Sequence, residues 1–306
     1  MHNEHGAAAP ELFPTIYGDD LEENKLTFIR VLKTCTSTRA LEQGKKTHNC
    51  IIQSGLEHDT IIANALIHMY VKCGSLHLAH ALFEKLYKRS LVTWSTLIAG
   101  YTQHGYDMEV LGVFEKMQNE GIEPDATFFT SLLKACLNLG ALVQGRKFHN
   151  LIIERGCEDD LYIASTLLEI YLECGELQDA HAIFSQAPHR DVVMWNIFIS
   201  GCALWGYSTD ALNLFEQMQM ECPLLDLSSF ICILKACSGN LSLGKAMDMH
   251  THVIDCGFEL DMSVSCSLID MYVKCGSLES AQVMFNKSPC WDVAMWSALI
   301  SGHAQL

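Results

Sequence analysis

The sequence predicts an all-α fold, a solenoid of stacked helix-turn-helix units, and three observations predict it. The first is long-range self-similarity. Met69-Tyr70-Val71-Lys72-Cys73-Gly74 recurs as Ile170-Tyr171-Leu172-Glu173-Cys174-Gly175 and as Met271-Tyr272-Val273-Lys274-Cys275-Gly276, at a constant spacing of 101 residues. Lys33, Lys134 and Lys235 keep the same spacing, as do His48, His149 and His250, and Trp94, Trp195 and Trp296. The second is that this period subdivides, without a gap, into units of 35, 31 and 35 residues. The third is helical spacing of apolar residues inside each unit, with glycine breaking it midway. Periods of this size are the signature of repeat arrays, in which each unit buries its apolar face against the next.

The elements follow in order. Residues 1–24 form an acidic tail with six acids and no Lys or Arg. A transit peptide is Arg-rich and acid-poor, and a signal peptide needs a basic start and an apolar core, so the tail is neither. Eight units then run 25–59, 60–90, 91–125, 126–160, 161–191, 192–226, 227–261 and 262–292, followed by a truncated one at 293–306. Gly105 and Pro124 punctuate unit 91–125. In 192–226, Trp195, Phe198 and Ile199 make one helical stripe. Gly206 ends it, and Ala211, Leu214, Phe215 and Met218 make a second at i, i+3, i+4 and i+7. A hairpin this short cannot bury both faces alone. The half-unit 293–306 leaves an apolar face uncapped, and the sequence is therefore read as a fragment or a shortened gene product.

Composition sets the outer limits. With 49% hydrophobic and 18% charged residues among 306, the chain is not disordered. No apolar run reaches the roughly 18–20 residues of a spanning helix, so no membrane partner is expected. Thirty-six acids against 20 bases give a net charge of −16, the opposite of the basic footprint that marks most nucleic-acid binders. Fourteen cysteines occur without one C-x-x-C pair, which excludes zinc-ribbon spacing. Their recurrence at equivalent positions makes them small buried hydrophobes of a reducing compartment.

Tetratricopeptide units hold about 34 residues and HEAT units about 40–47, so an alternation of 35, 31 and 35 fits neither. The stretches 64–83 (NALIHMYVKCGSLHLAHALF), 130–149 (TSLLKACLNLGALVQGRKFH) and 192–206 (VVMWNIFISGCALWG) closely resemble pentatricopeptide repeat proteins of land plants. More narrowly they resemble the PLS subclass, in which P, long (L) and short (S) repeats rotate. The resemblance covers 25–306. It makes 25–59, 126–160 and 227–261 L repeats, 60–90, 161–191 and 262–292 S repeats, and 91–125, 192–226 and the piece from 293 P repeats. One departure is local: Gly244 precedes His250 by six residues, whereas Gly44 and Gly145 precede His48 and His149 by four, so the turn in the third L repeat is expected to be reshaped.

The resemblance implies a right-handed solenoid that binds single-stranded RNA, one base per repeat, with no cofactor, metal or small-molecule substrate. In this family the fifth and last residues of P and S repeats read the base and the second helps sandwich it. Carried over, the readers are Asn64 with Ser90, Ser95 with Asp125, Ser165 with Asp191, and Asn196 with Asp226. Ile61, Val92, Tyr162 and Val193 are the stacking positions. Cys266 with Asp292, and Thr130 with Asp160 in an L repeat, are weaker readers. Ile29 and Ile231 leave the other two L repeats without a polar fifth residue.

The chemistry of the pairs can be argued directly. An ionised Asp only accepts hydrogen bonds, so it favours U (N3–H) or G (N1–H and amino). A Ser can donate and so permits C or A. A short fifth residue leaves room for a purine, and Asn reaches a pyrimidine. The expected core is C at 60–90, G at 91–125, an unassigned base at 126–160, G at 161–191 and U at 192–226, with the N-terminus toward the RNA 5′ end by family analogy.

Plainer readings accompany these. Seven of the eight complete units end in Asp, which is also a good helix N-cap. Asn is a mediocre helix former, so Asn64 and Asn196 inside helices favour a functional role. The periodic histidines and tryptophans read as packing residues. Zinc-deaminase chemistry, found in the DYW extension of related proteins, needs H-x-E with P-C-x-x-C; His2-Asn3-Glu4 is present but no C-x-x-C is, so no enzyme activity is expected. The leading expectation is a site-recognition factor for mitochondrial or chloroplast RNA editing or processing, served by accessory editing factors and a deaminase in trans. The alternative is a helical-repeat protein–protein scaffold, which the acidic balance favours.

Overall fold

The computed structural model describes residues 21–221, 225–237 and 243–304, and these form seventeen helices with no strand. Two compact units divide between Leu139 and Gly140. The first holds α1 (Leu21–Thr38), α2 (Leu41–Gln53), α3 (Thr60–Lys72), α4 (Leu76–Lys85), α5 (Leu91–Gln103), α6 (Asp107–Asn119) and α7 (Ala126–Leu139). The second holds α8 (Leu142–Glu154), α9 (Leu161–Glu173), α10 (Leu177–Gln186), α11 (Val192–Leu204), α12 (Ser208–Glu221), α13 (Leu227–Cys237), α14 (Leu243–Asp255), α15 (Met262–Lys274), α16 (Leu278–Lys287) and α17 (Val293–Ala304). The fold is an all-α helical-repeat solenoid. Within each unit odd-numbered helices pack on odd-numbered neighbours, and each even-numbered helix packs against the odd ones before and after it, except α8, which packs against α9. The first 20 residues, and with them His2-Asn3-Glu4 and all but residues 21–24 of the acidic tail, lie outside the described residues, as does the turn before Leu243, while 21–24 open α1.

Local chemistry fixes where each odd helix starts. The side chains of Asp59, Asp160 and Asp261 each accept from two backbone N–H groups of the following helix. Asp125, Asp191, Asp226 and Asp292 each accept from one, three residues on. Ser90 does the same in a capping box with Thr93. Each cap satisfies donors that the first helical turn leaves orphaned.

The turns into α4, α6, α8, α10, α12 and α16 use a left-handed glycine, whereas the turn into α2 uses Arg39, φ 53. Gly74 has φ 76, and Ser75 N–H reaches back to Tyr70 O at 2.8 Å while Gly74 N–H reaches Val71 O at 3.0 Å. This is a Schellman closure, which needs a left-handed residue. Gly175 and Gly276 close α9 and α15 in the same way.

Odd helices α5, α11 and α17 each make one close approach through a glycine, 101 residues apart. A Cβ on Gly100 would stand 2.7 Å from Val71 side-chain atoms, one on Gly201 2.7 Å from Leu172, and one on Gly302 2.6 Å from Leu278 and 2.7 Å from Val273. We expect Gly201→Ala to lower stability by about 1–3 kcal/mol through overpacking, although alanine is the better helix former. Thermal melts check this; a rise in melting temperature would contradict it.

Two motifs hold even helices to odd ones. His48 Nδ1 lies 2.8 Å from Tyr70 Oη, His149 2.9 Å from Tyr171 and His250 2.8 Å from Tyr272. Burial lowers the affinity of all three imidazoles for a proton and raises the phenol pKa values. The periodic histidines are thus packing groups. The second motif centres on tryptophan. Trp94 and Trp195 are fully buried, edge-on to Phe83 and Phe184 at 4.7 and 4.6 Å. Arg89 and Arg190 lie over those phenylalanines at 4.8 and 4.9 Å and donate through Nε to their carbonyls. One period later the arginine is Trp291. Its ring stacks on Phe285 at 5.7 Å, and its Nε1 donates to the Phe285 carbonyl at 3.0 Å. Trp296 differs from its two counterparts. It keeps the edge contact to Phe285 but is 51% exposed, because among the described residues no even helix follows α17 to cover it.

Candidate nucleic-acid interface

Ile61, Val92, Tyr162 and Val193 sit at the second position of α3, α5, α9 and α11 and are 66, 61, 79 and 57% exposed. Their immediate successors Ile62, Thr93, Ile163 and Met194 are fully buried. Each apolar group is therefore turned to solvent at a fixed helical position, which burial cannot explain. The fifth positions follow three residues later, on the same helix face.

At one repeat the fifth residue is hydrogen-bonded directly to the residue that closes it, at another the link runs through Thr93, and the two arrangements differ in sense. Asn196 Nδ2 donates to Asp226 Oδ1 at 3.3 Å. Ser229 also donates to that oxygen, through N–H and hydroxyl, both at 2.8 Å. Burial pushes the Asp226 carboxyl up, but the bonds from Ser229 and Asn196 outweigh it and hold it below the ordinary carboxylate value. Asp226 is an ionised acceptor at neutral pH. With its NH2 engaged, Asn196 is left with Oδ1, which is buried and has no partner. An unpaired buried acceptor costs about 1–3 kcal/mol. At Asn64 the amide is turned the other way. Its Oδ1 accepts from the Thr93 hydroxyl at 2.7 Å. Thr93 Oγ1 lies 2.9 Å from Ser90 Oγ. Thr93 has one hydroxyl proton and gives it to Asn64, so Ser90 donates in that second bond. The Asn64 NH2 is then the outward donor.

The other pairs are looser. Ser95 gives its hydroxyl to Leu91 O at 2.8 Å, and Asp125 accepts from Thr127 at 2.7 Å and from Phe128 N–H at 2.9 Å. They do not bond each other, yet both line one open cavity of about 600 Å³ with Val92 and Thr130. Ser165 is half-buried on α9, and Asp191 caps α11. Thr130 bonds Thr127 O at 2.7 Å within α7, and Asp160 caps α9. Burial pushes the Cys266 thiol up, helped by the charges of Asp292 and Asp270.

Val193, Asn196 and Asp226 line a cavity of about 510 Å³, the counterpart of the Val92 cavity one period earlier. Their flanks carry opposite charge. His68 and Lys72 border the first, Glu169 and Glu173 the second. Among the described residues no cluster of His, Cys, Asp or Glu is arranged to hold a metal, and no helix is long and apolar enough to cross a membrane.

Comparison with known families matches parts of this chain to repeat models. The PPR repeat model fits residues 61–91, 193–222 and 264–290, and the PPR repeat family model fits 89–138. The chain belongs to the pentatricopeptide repeat family. A chloroplastic pentatricopeptide repeat-containing protein of Arabidopsis thaliana is 31% identical over 98% of this chain and 49% of its own length. A mitochondrial one from the same plant is 32% identical over 96% of this chain and 43% of its own length. This pentatricopeptide repeat chain thus spans about half the length of such relatives. Among solved structures, the pentatricopeptide repeat protein PPR10 in complex with an 18-nucleotide psaJ RNA element superposes with TM-score 0.71 at 18% identity, over 87% of this chain and 41% of that one. PPR10 from maize superposes with TM-score 0.69 at 16% identity, over 97% of this chain and 48% of that one. At these identities the likeness speaks for the pentatricopeptide fold.

One feature escaped the sequence reading. Thr93 joins Asn64 to Ser90, and its signal was available: a hydroxyl three residues after a Ser cap is capping-box spacing. Lys33, Lys134 and Lys235 are exposed on α1, α7 and α13, one helical turn beyond Ile29, Thr130 and Ile231. On α1, α7 and α13 a basic group thus shares a helix face with Ile29, Thr130 and Ile231.

Proposed function

We propose that this chain is a non-enzymatic reader of single-stranded RNA that takes one base per repeat. The observation that carries the reading is the opposite turn of the two Asn amides. Asp226 holds the Asn196 NH2, and the amide's acceptor, unpaired but buried near Val193, is complementary to the N3–H of U once the side chain turns to meet a base. Thr93 and Ser90 hold the Asn64 carbonyl and leave a donor beside Ile61, complementary to the N3 and O2 acceptors of C. The closing residue thereby sets which end of the amide meets the base. Exposed Ile61, Val92, Tyr162 and Val193 supply apolar faces for stacking, a sequence-tolerant source of affinity. Ser95 with Asp125 and Ser165 with Asp191 favour G. The weaker readers are Thr130 with Asp160 and Cys266 with Asp292.

On this reading the units are PLS-type repeats with the boundaries given above, and the core target is C-G-n-G-U. The names of the relatives support an organellar site of action, mitochondrion or chloroplast. The role is site selection for editing or processing, with accessory factors and a deaminase acting in trans. Titrating RNAs that differ only in U or C opposite Asn196 tests the assignment. U should win by roughly tenfold, and indifference would end the account of this pair.

The net charge of −16 favours the second reading, a protein-binding scaffold, because phosphate contacts supply most nucleic-acid affinity. The placement of Lys33, Lys134 and Lys235 on the face of the fifth residues answers it in part. Glu169 and Glu173 beside the U-reading cavity oppose binding. Glu173→Lys should therefore strengthen RNA binding and steepen the slope of log affinity against log salt by about one or two. Weaker binding, or an unchanged salt slope, would count against RNA following this face.

A further inference from the structure

A second cavity, of about 450 Å³, opens between α10, α11 and α12, away from the reading positions. Its origin is visible in the repeat. Four tyrosines of this chain place a hydroxyl on the imidazole of the preceding even helix: Tyr70 on His48, Tyr101 on His80, Tyr171 on His149 and Tyr272 on His250, all at 2.8–2.9 Å. The ring of Tyr101 lies 6.1 Å from those of both His80 and Tyr106. One period on, His181 and Tyr207 stand where His80 and Tyr106 stood, but the tyrosine between them is Cys202. His181 Nδ1 turns instead to Ser185 at 3.1 Å. Phe198 replaces Leu97 and takes up part of the lost volume, its ring 6.0 Å from that of His181. The remaining space is walled by Phe198, Cys202 and Tyr207, with His181 and Asp210 among the polar groups that border it.

We propose that this cavity accepts a p-hydroxyphenyl group in trans, the side chain of a tyrosine on a partner protein. The ring would lie against Phe198 and Tyr207, over Cys202, with its hydroxyl on His181. The chain itself supplies the evidence for that chemistry. The same frame is filled by the chain's own phenol one period earlier, and here that phenol is missing while Phe198 fills part of its space. A cavity with one apolar wall, bordered by an imidazole, discriminates a phenol from a plain benzene ring by one hydrogen bond. Asp210, with Asn213 and Gln217, borders the opening where the backbone N–H groups of a bound peptide would need acceptors.

The test uses the full chain and three probes: p-cresol, toluene, and a short peptide with one central tyrosine. Titration calorimetry should show p-cresol binding at least roughly fivefold tighter than toluene, the worth of one retained hydrogen bond. The peptide should bind more tightly than p-cresol. Cys202→Tyr should remove binding of all three and raise the melting temperature. His181→Phe, which keeps the ring and loses the donor, should erase the preference for cresol and so tests the claim even if Cys202→Tyr fails to fold. Equal affinity for cresol and toluene, binding that survives Cys202→Tyr, or cresol binding with no peptide binding would each overturn the proposal.

Discussion

RNA with C opposite repeat 192–226 will bind Asp226→Ser more tightly than it binds the unchanged protein, and RNA with U there will bind it less tightly. The substitution separates two roles that one residue holds. Serine is as good a helix cap as aspartate, so the start of α13 is kept through the Ser229 N–H. What changes is the group facing Asn196. The carboxylate now holds the Asn196 NH2 and leaves Oδ1 as acceptor. A hydroxyl removes the ionised acceptor and frees the amide to present its donor, as at Asn64. A base-specific pair is worth about 1–3 kcal/mol, so the preference should move by roughly tenfold or more in each direction. Ser90→Asp is the reciprocal change and should convert the 60–90 unit from C to U. Asp226→Ala would be the wrong variant, because it removes the cap along with the reader. An unchanged base preference in both Asp226→Ser and Ser90→Asp, with unchanged melting, would show that the closing residues are caps and nothing more.

Trp195→Ala should lower stability by about 3–5 kcal/mol and should do so without a base-specific effect. Trp195 is fully buried, edge-on to Phe184 and beneath the Arg190 guanidinium. Its loss opens a cavity between α10 and α11 and strips Arg190 of one of the two rings it covers. In a repeat array the damage falls on the nearest-neighbour interfaces of that unit. Trp296→Ala, half exposed at the equivalent position, should cost clearly less. Urea unfolding followed by circular dichroism gives both numbers. Equal costs, or a loss below about 1 kcal/mol at Trp195, would contradict the packing account and revive tryptophan as a base-stacking platform.

The fold was legible because the repeat exposes it several times over. The Tyr-x-x-Cys-Gly run carries both the buried tyrosine and the left-handed glycine that ends the helix. The terminal aspartates announce the helix starts because an orphaned N–H needs an acceptor at that position. The second residues were legible only through the family resemblance, since a sequence cannot say that Ile61 faces water while Ile62 faces the core. Trp296 was read as core by analogy with its counterparts and lies half exposed, because coverage depends on the next helix and not on the residue. The amide directions at Asn64 and Asn196 were beyond any sequence pattern. They depend on Thr93 and Asp226, about thirty residues downstream, meeting the asparagines across a helix interface.

Fluorescence anisotropy with a short single-stranded RNA containing C-G-G-G-U, at two salt concentrations, tests the central claim most directly. Duplex RNA and single-stranded DNA of the same sequence serve as controls. The account predicts binding to the single-stranded RNA that weakens as salt rises and falls further when the final U is replaced by C. Absence of binding to every strand, or binding indifferent to sequence and to salt, would contradict it and leave the protein-binding scaffold as the reading of this chain.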